Sequence, residues 1–236
     1  MSNLLNTMEE YSWLASWAIW ESLNPTTNFS SSKDIKENID FNDYQNDLQK
    51  NNIVIIAMNP GGESNISDLQ NVTRKRKESF NSWKNFHSRG RSNDHHLASA
   101  FNDSKARGAY MTDFFPIVGS DSSKITDVID TLKSEEPEQI KRLVKELDDE
   151  LSTLLPTYNE VNLICLGSVA EKWAKTFLSN PKTKYEDLNK TYNVYKVFHH
   201  SPLAESHRKK YAVKHNIENN YATIIKKQLE EQGLKI

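Results

Sequence analysis

Four short apolar runs stand out in an otherwise polar chain: residues 53–58, 108–112, 161–166 and 192–198. Each is five to seven residues, rich in apolar side chains and bounded by turn residues, which predicts buried strands. Between them the apolar positions recur with a helical period. Residues 134–155 place Leu143, Leu147, Leu151 and Leu154 on one face, and Pro156 stops them. Ser168 is placed to cap a helix carrying Val169, Trp173 and Phe177, and a last helix carries Tyr221, Ile224, Ile225 and Leu229. Near the start, Trp13, Trp17 and Trp20 recur at spacings of four and three, predicting a helix over residues 8–22. Residues 23–35 are rich in Asn, Thr and Ser and read as loop, and residues 78–103 as helix and loop. Strands alternating with helices predict an α/β fold with a four-stranded, mostly parallel sheet in a three-layer αβα arrangement. One domain is expected over residues 51–236, with residues 1–50 a helical extension packed on it.

Composition narrows the partners. The chain has 236 residues, 36% of them hydrophobic, and a formal net charge of −2. That is enough chain for one α/β core, but the overall charge is not that of a typical nucleic-acid binder. The distribution says more than the sum: residues 74–91 hold seven Lys/Arg against Glu78 alone, and residues 134–150 hold seven acids against three bases. The single cysteine, Cys165, excludes an intrachain disulfide and a Cys-ligated metal centre within one chain. No apolar run approaches a membrane span, and the first ten residues have no signal-peptide pattern, so a cytoplasmic protein without a membrane partner is expected.

Two segments carry the candidate chemistry. Met58-Asn59-Pro60-Gly61-Gly62 follows the first strand, and His199-His200-Ser201-Pro202-Leu203 follows the fourth. Loops at the carboxyl ends of parallel strands open onto a common crevice. A side-chain amide there accepts a hydrogen bond from a water and orients it, although it is too weak a base to do more. A histidine donates to charge growing on a departing oxygen, worth about 3–4 kcal/mol in a dry site. The plainer alternatives are a turn residue for Asn59, since Asn-Pro initiates turns, and a core histidine for His199.

With these residues together, the chain resembles the uracil-DNA glycosylase superfamily over roughly residues 50–225. Asn59-Pro60-Gly61 is similar to the first motif of its mismatch-specific and single-strand-selective branches, and His199 to Leu203 to the second, usually His-Pro-Ser-Pro-Leu. His200 stands where the family has Pro. The resemblance implies a uracil-DNA glycosylase-like fold and a monomeric, cofactor-free, monofunctional DNA glycosylase that acts on a base flipped out of single- or double-stranded DNA. It implies Asn59 and His199 as catalytic residues, His199 as a neutral imidazole. It also implies Leu203 as the wedge that fills the gap left by the base, with Ser201 and Pro202 on the same loop at the DNA backbone.

Other assignments are weaker. Met58, Pro60, Gly61, Asp113 and Phe114 lie where a base pocket would be lined, and Trp83 or Phe86 is the candidate stacking ring. Arg208, Lys209 and Lys210, with Arg89 and Arg91 of the basic stretch, are candidate phosphate contacts, or else solvated surface. Adjacent histidines on a strand point to opposite faces, so His95-His96 and His199-His200 are poor metal ligands. Asp113 stands where several branches place an Asn to read uracil. An ionised Asp offers only acceptors, which repels uracil O4 and suits two adjacent donors, as on guanine, or cytosine if a proton is shared. The main alternative is the same fold used to bind nucleic acid or a nucleotide without hydrolysis. An enzyme on small nucleosides, or another hydrolase, is the third reading; there is no Gly-x-Ser-x-Gly elbow and no P-loop.

Overall fold

A computed structural model of the chain describes residues 7, 10–24, 29–61, 72–76, 82–85, 93–119, 121–179 and 188–236. Its strands are β1 (Ser16–Trp17), β2 (Ile39–Asp40), β3 (Ile53–Ala57), β4 (Ser82–Trp83), β5 (Tyr110–Asp113), β6 (Glu160–Leu166) and β7 (Thr191–Val197). Its helices are α1 (Phe41–Tyr44), α2 (Asp94–Phe101), α3 (Ser122–Glu135), α4 (Pro137–Leu154), α5 (Ser168–Phe177), α6 (Glu205–His215) and α7 (Tyr221–Glu231).

All four expected strands form and run parallel in the spatial order β5-β3-β6-β7. The sheet has a fifth member, however. β1 pairs antiparallel with β5 at the edge, Trp17 opposite Tyr110, so the sheet is mixed and five-stranded. This replaces most of the helix expected over residues 8–22, in which Glu10 and Tyr11 are the helical positions among the described residues. Leu14 to Trp20 are buried at every position, whereas a surface helix buries only a stripe. An extended segment between the sheet edge and the β2–β4 ribbon satisfies that run. Trp17 packs its ring against Tyr110 at 5.5 Å, and Trp83 at 5.6 Å. The first fifty residues thus contribute a sheet strand and core aromatics.

Period-two alternation sends the central strands' side chains to two cores. Val54, Ile56, Tyr110, Leu163 and Cys165 pack with α3, α4 and α5 on one face, and Ile55, Ala57, Met111, Ile164 and Val197 with α2 and α7 on the other. The helix expected from residue 134 begins instead at Pro137. A proline has no N–H and its ring crowds the preceding turn, so it starts a helix and breaks one that arrives from before. At α5 the N-cap is Gly167 rather than Ser168, with φ of 93°, a conformation glycine adopts without a Cβ penalty.

Candidate functional site

The carboxyl ends of four neighbouring parallel strands bring the two motifs onto one edge of the sheet. Asp113 ends β5, Asn59 lies two residues past β3, Gly167 follows β6 and His199 lies two residues past β7. The loops after β5 and β3 continue side by side. Phe114 N–H donates to the Ala57 carbonyl at 2.9 Å, Phe115 N–H to Met58 at 3.1 Å and Gly119 N–H to Pro60 at 3.1 Å.

Asn59 fastens these loops. Its Nδ2 donates to the carbonyls of Pro60 at 2.9 Å, Ile117 at 2.8 Å and Gly119 at 2.8 Å. Three acceptors around one atom fix it as the NH2 end of the amide. Oδ1, the end that accepts, makes no hydrogen bond among the described residues. Asn59 is therefore both a turn residue and a held acceptor, and the two readings open in the sequence are compatible.

His199 is held in the complementary sense. Its Nδ1 accepts the Ser201 N–H at 3.0 Å, so in the neutral ring the proton sits on Nε2, which makes no hydrogen bond among the described residues. Burial, and then the Arg208 charge, lower its pKa to about 4, so at neutral pH the ring is a neutral Nε2–H donor. A Cβ built on Gly167 would lie 3.5 Å from the His199 Cβ, an ordinary contact, so the histidine lies against the β6 loop and it is the φ of 93° that calls for glycine there. Arg208 is buried at 6% exposure and donates from one nitrogen to the carbonyls of His199 at 2.8 Å and Ser201 at 2.9 Å. It holds the loop from behind, because two carbonyls converge on it, and is not the exposed phosphate contact expected of it.

Further along that loop, Pro202–Ala204 forms a 3-10 turn that projects Leu203, which is 91% exposed. Val213 at 83% and Leu23 at 65% are exposed as well, and isolated apolar side chains at a surface are common. Ser201 is half-buried; Pro202 and Lys210 are exposed, and Lys209 is exposed but paired with Glu205 at 2.6 Å. The two histidine pairs correct another expectation. They lie outside the strands, where alternation does not apply: the His199 and His200 rings stack at 4.3 Å, and the His95 and His96 rings lie tilted by 38° with centroids 4.0 Å apart.

Several expected pocket residues are core. Trp83 is 2% exposed, with Nε1 donating to the Trp17 carbonyl, and Phe114 is 1% exposed against Phe115, Trp173 and Phe177. Phe114 follows the parity of Tyr110 onto the α3–α5 face, away from Met111 and Asp113, so neither ring is placed to stack on a base. Met58 packs at the edge of the same core, Pro60 is half-buried and Gly61 is exposed. Phe86, Arg89 and Arg91 lie outside the described residues.

The residues that sequence reasoning missed lie under β5. Arg74, the first residue of the basic stretch, is fully buried. Its Nε and one terminal nitrogen bond Glu150 at 3.0 Å each, and that terminal nitrogen also donates to Thr112 Oγ1 at 2.9 Å. The other terminal nitrogen donates to the carbonyls of Asp113 at 2.6 Å and Phe114 at 3.0 Å. All five guanidinium N–H groups are thereby matched to acceptors. Tyr110 Oη also donates to Glu150, at 2.6 Å. The available signal was Glu150 itself, an acid inside the apolar stripe of α4. The Asp113 carboxyl, by contrast, is 5% exposed and has no hydrogen-bond donor among the described residues. Burial pushes its pKa up to about 7, against a smaller opposing pull from Arg74.

Among the described residues no group of His, Cys, Asp and Glu is arranged to hold a metal, and no helix is long and apolar enough to cross a membrane. No protein-family model, curated protein or solved structure matches the chain.

Proposed function

We propose that this chain is a DNA glycosylase-like hydrolase with a uracil-DNA glycosylase-like three-layer fold. It cleaves the N-glycosidic bond of a flipped uracil-like, damaged or modified base. The observation that carries the reading is the pairing of a held acceptor with a held donor: Asn59 Oδ1 on the β3 loop and His199 Nε2–H on the β7 loop, each with its other polar atom committed to backbone. Oδ1 orients a water toward the anomeric carbon. The water oxygen bonds to that carbon, the C–N electron pair leaves with the base, and the water's proton passes to solvent or base. Nε2–H donates to the base oxygen where charge accumulates. Preorganised groups need no rearrangement as the charge develops. Leu203 enters the stack in place of the base, an exchange that offsets part of the few kcal/mol of unstacking.

The test is a gel cleavage assay. Oligonucleotides, single- and double-stranded, would carry uracil, hypoxanthine, xanthine, mismatched thymine or modified cytosine, and hot alkali would reveal abasic sites. Cleavage that disappears in Asn59→Ala supports the reading. Retarded DNA without cleavage on any substrate favours the second reading, a binding module on the same fold. The departure at His200, where the family motif has Pro, is the observation on its side.

A further inference from the structure

Asp113 stands out as a buried titratable group that the hydrolysis step does not use. It ends β5 beside Ala57, on the face shared with Met111, at the edge that carries Asn59. The nearest cation has nothing left for it: all five Arg74 N–H groups go to Glu150, Thr112 and the main-chain carbonyls of Asp113 and Phe114. Arg74's charge is in turn offset by Glu150 on α4, and the adjacent β3 end offers Ala57, Met58 and Asn59, none of them charged. Among the described residues, Arg74 is the charge that acts on the Asp113 carboxyl. A carboxylate buried without a donor is the disfavoured form, and the neutral acid relieves the cost.

A neutral carboxylic acid presents one O–H donor beside one C=O acceptor, the pattern of a carboxamide. We propose that Asp113 reads the target base as a neutral acid, donating to a ring carbonyl and accepting from the adjacent ring N–H, so that base selection is set by a proton. The edge it fits is a carbonyl next to a ring N–H, as in uracil, thymine or hypoxanthine. Loss of the proton turns the same side chain into a repellent for that carbonyl. This rests on the glycosylase reading and reverses the preference that an ionised Asp113 implies.

The experiment compares single-turnover release of uracil and hypoxanthine by the wild type and Asp113→Asn across about pH 5 to 9, with infrared difference spectra of the two free proteins over the same range. The expected wild-type rate is level at low pH and falls about tenfold per unit above about pH 7, while Asp113→Asn, whose amide cannot titrate, shows no such fall. The carbonyl stretch of a neutral acid is expected in the wild type at low pH, fading over the same interval and missing in the variant. Excision with matching pH profiles for both proteins, or no acid stretch at neutral pH, overturns the inference and leaves the glycosylase reading standing. No release of either base at any pH, with the acid stretch present, overturns the role in base reading by removing the reaction beneath it.

Discussion

Nδ1 of His199 accepts the main-chain N–H of Ser201 at 3.0 Å, and that one bond settles which ring nitrogen carries the proton. It also ties the histidine to the loop that displays Leu203, so a donor and an exposed leucine are fixed by the same few residues. The usual use of a histidine is to exchange protons near neutrality. This one is built to do the opposite, since burial and Arg208 keep it neutral down to about pH 4.

The His199 contribution to turnover is therefore expected not to titrate near its ordinary pKa. The pH–rate profile should show no inflection near pH 6.5 that disappears in His199→Gln. The same shift acts on stability. A folded pKa of about 4 lies below the unfolded value of 6.5, so the folded state binds fewer protons between them. The contribution is complete above pH 6.5 and is lost as pH falls through 4. His96, lowered to about 4 mainly by burial, adds in the same direction. Thermal melts from pH 7 downward should show a loss that is smaller in His199→Gln.

Asp113 has the opposite sign. Its folded pKa of about 7 is above the usual 3.8, so the folded state holds the extra proton and stability falls as pH rises between the two values. Asp113→Asn removes this penalty. The variant is expected to be more stable than wild type at pH 8, by on the order of a few kcal/mol, with little difference near pH 4. Urea denaturation at the two pH values measures it.

The Arg74–Glu150 pair is fully buried on both sides. Removing one partner strands the other charge, which costs about 3–5 kcal/mol. Arg74→Met and Glu150→Gln should both destabilise on that scale. Arg74→Lys should rescue little, because one ammonium cannot reach Glu150, Thr112 and two carbonyls at once. Denaturant midpoints for the three variants test the ordering.

Leu203 touches little in the free protein, so Leu203→Ala should leave the melting temperature unchanged. If it fills the gap in a duplex, the variant should lose excision from double-stranded DNA at least tenfold more than from single strands, where no stack has to be held open. Equal losses on both substrates would reject the wedge.

What was legible in the sequence follows from which forces act locally. The four parallel strands are runs rich in apolar residues between turn residues, β6 with Asn162 and β7 with Asn193 and Lys196 among them, and they lie where the pattern puts them. The Trp13–Trp17–Trp20 spacing misled because burial on every side erases the distinction between a helical stripe and a buried extended segment. The placement of Asn59 and His199 on one edge of the sheet was readable because each lies two residues past the end of an apolar run that forms a strand. Arg74 was not, since a guanidinium buried through bonds to Glu150 and the distant β5 carbonyls looks in sequence like any other basic residue. Phe114 and Trp83 went the other way: aromatic residues near a motif suit a pocket and a core equally well until strand parity assigns the face.

The central claim is that Asn59 Oδ1 orients the attacking water, and its most direct measurement is single-turnover base release by wild type and Asn59→Ala alongside DNA binding. Loss of the three amide bonds also costs about 1–3 kcal/mol of stability, so both are compared well below their melting temperatures. Release by the wild type is expected to fall at least about a hundredfold in Asn59→Ala with DNA affinity retained. Release at wild-type rates by Asn59→Ala, or no release by the folded wild type from any base in the panel, would contradict it.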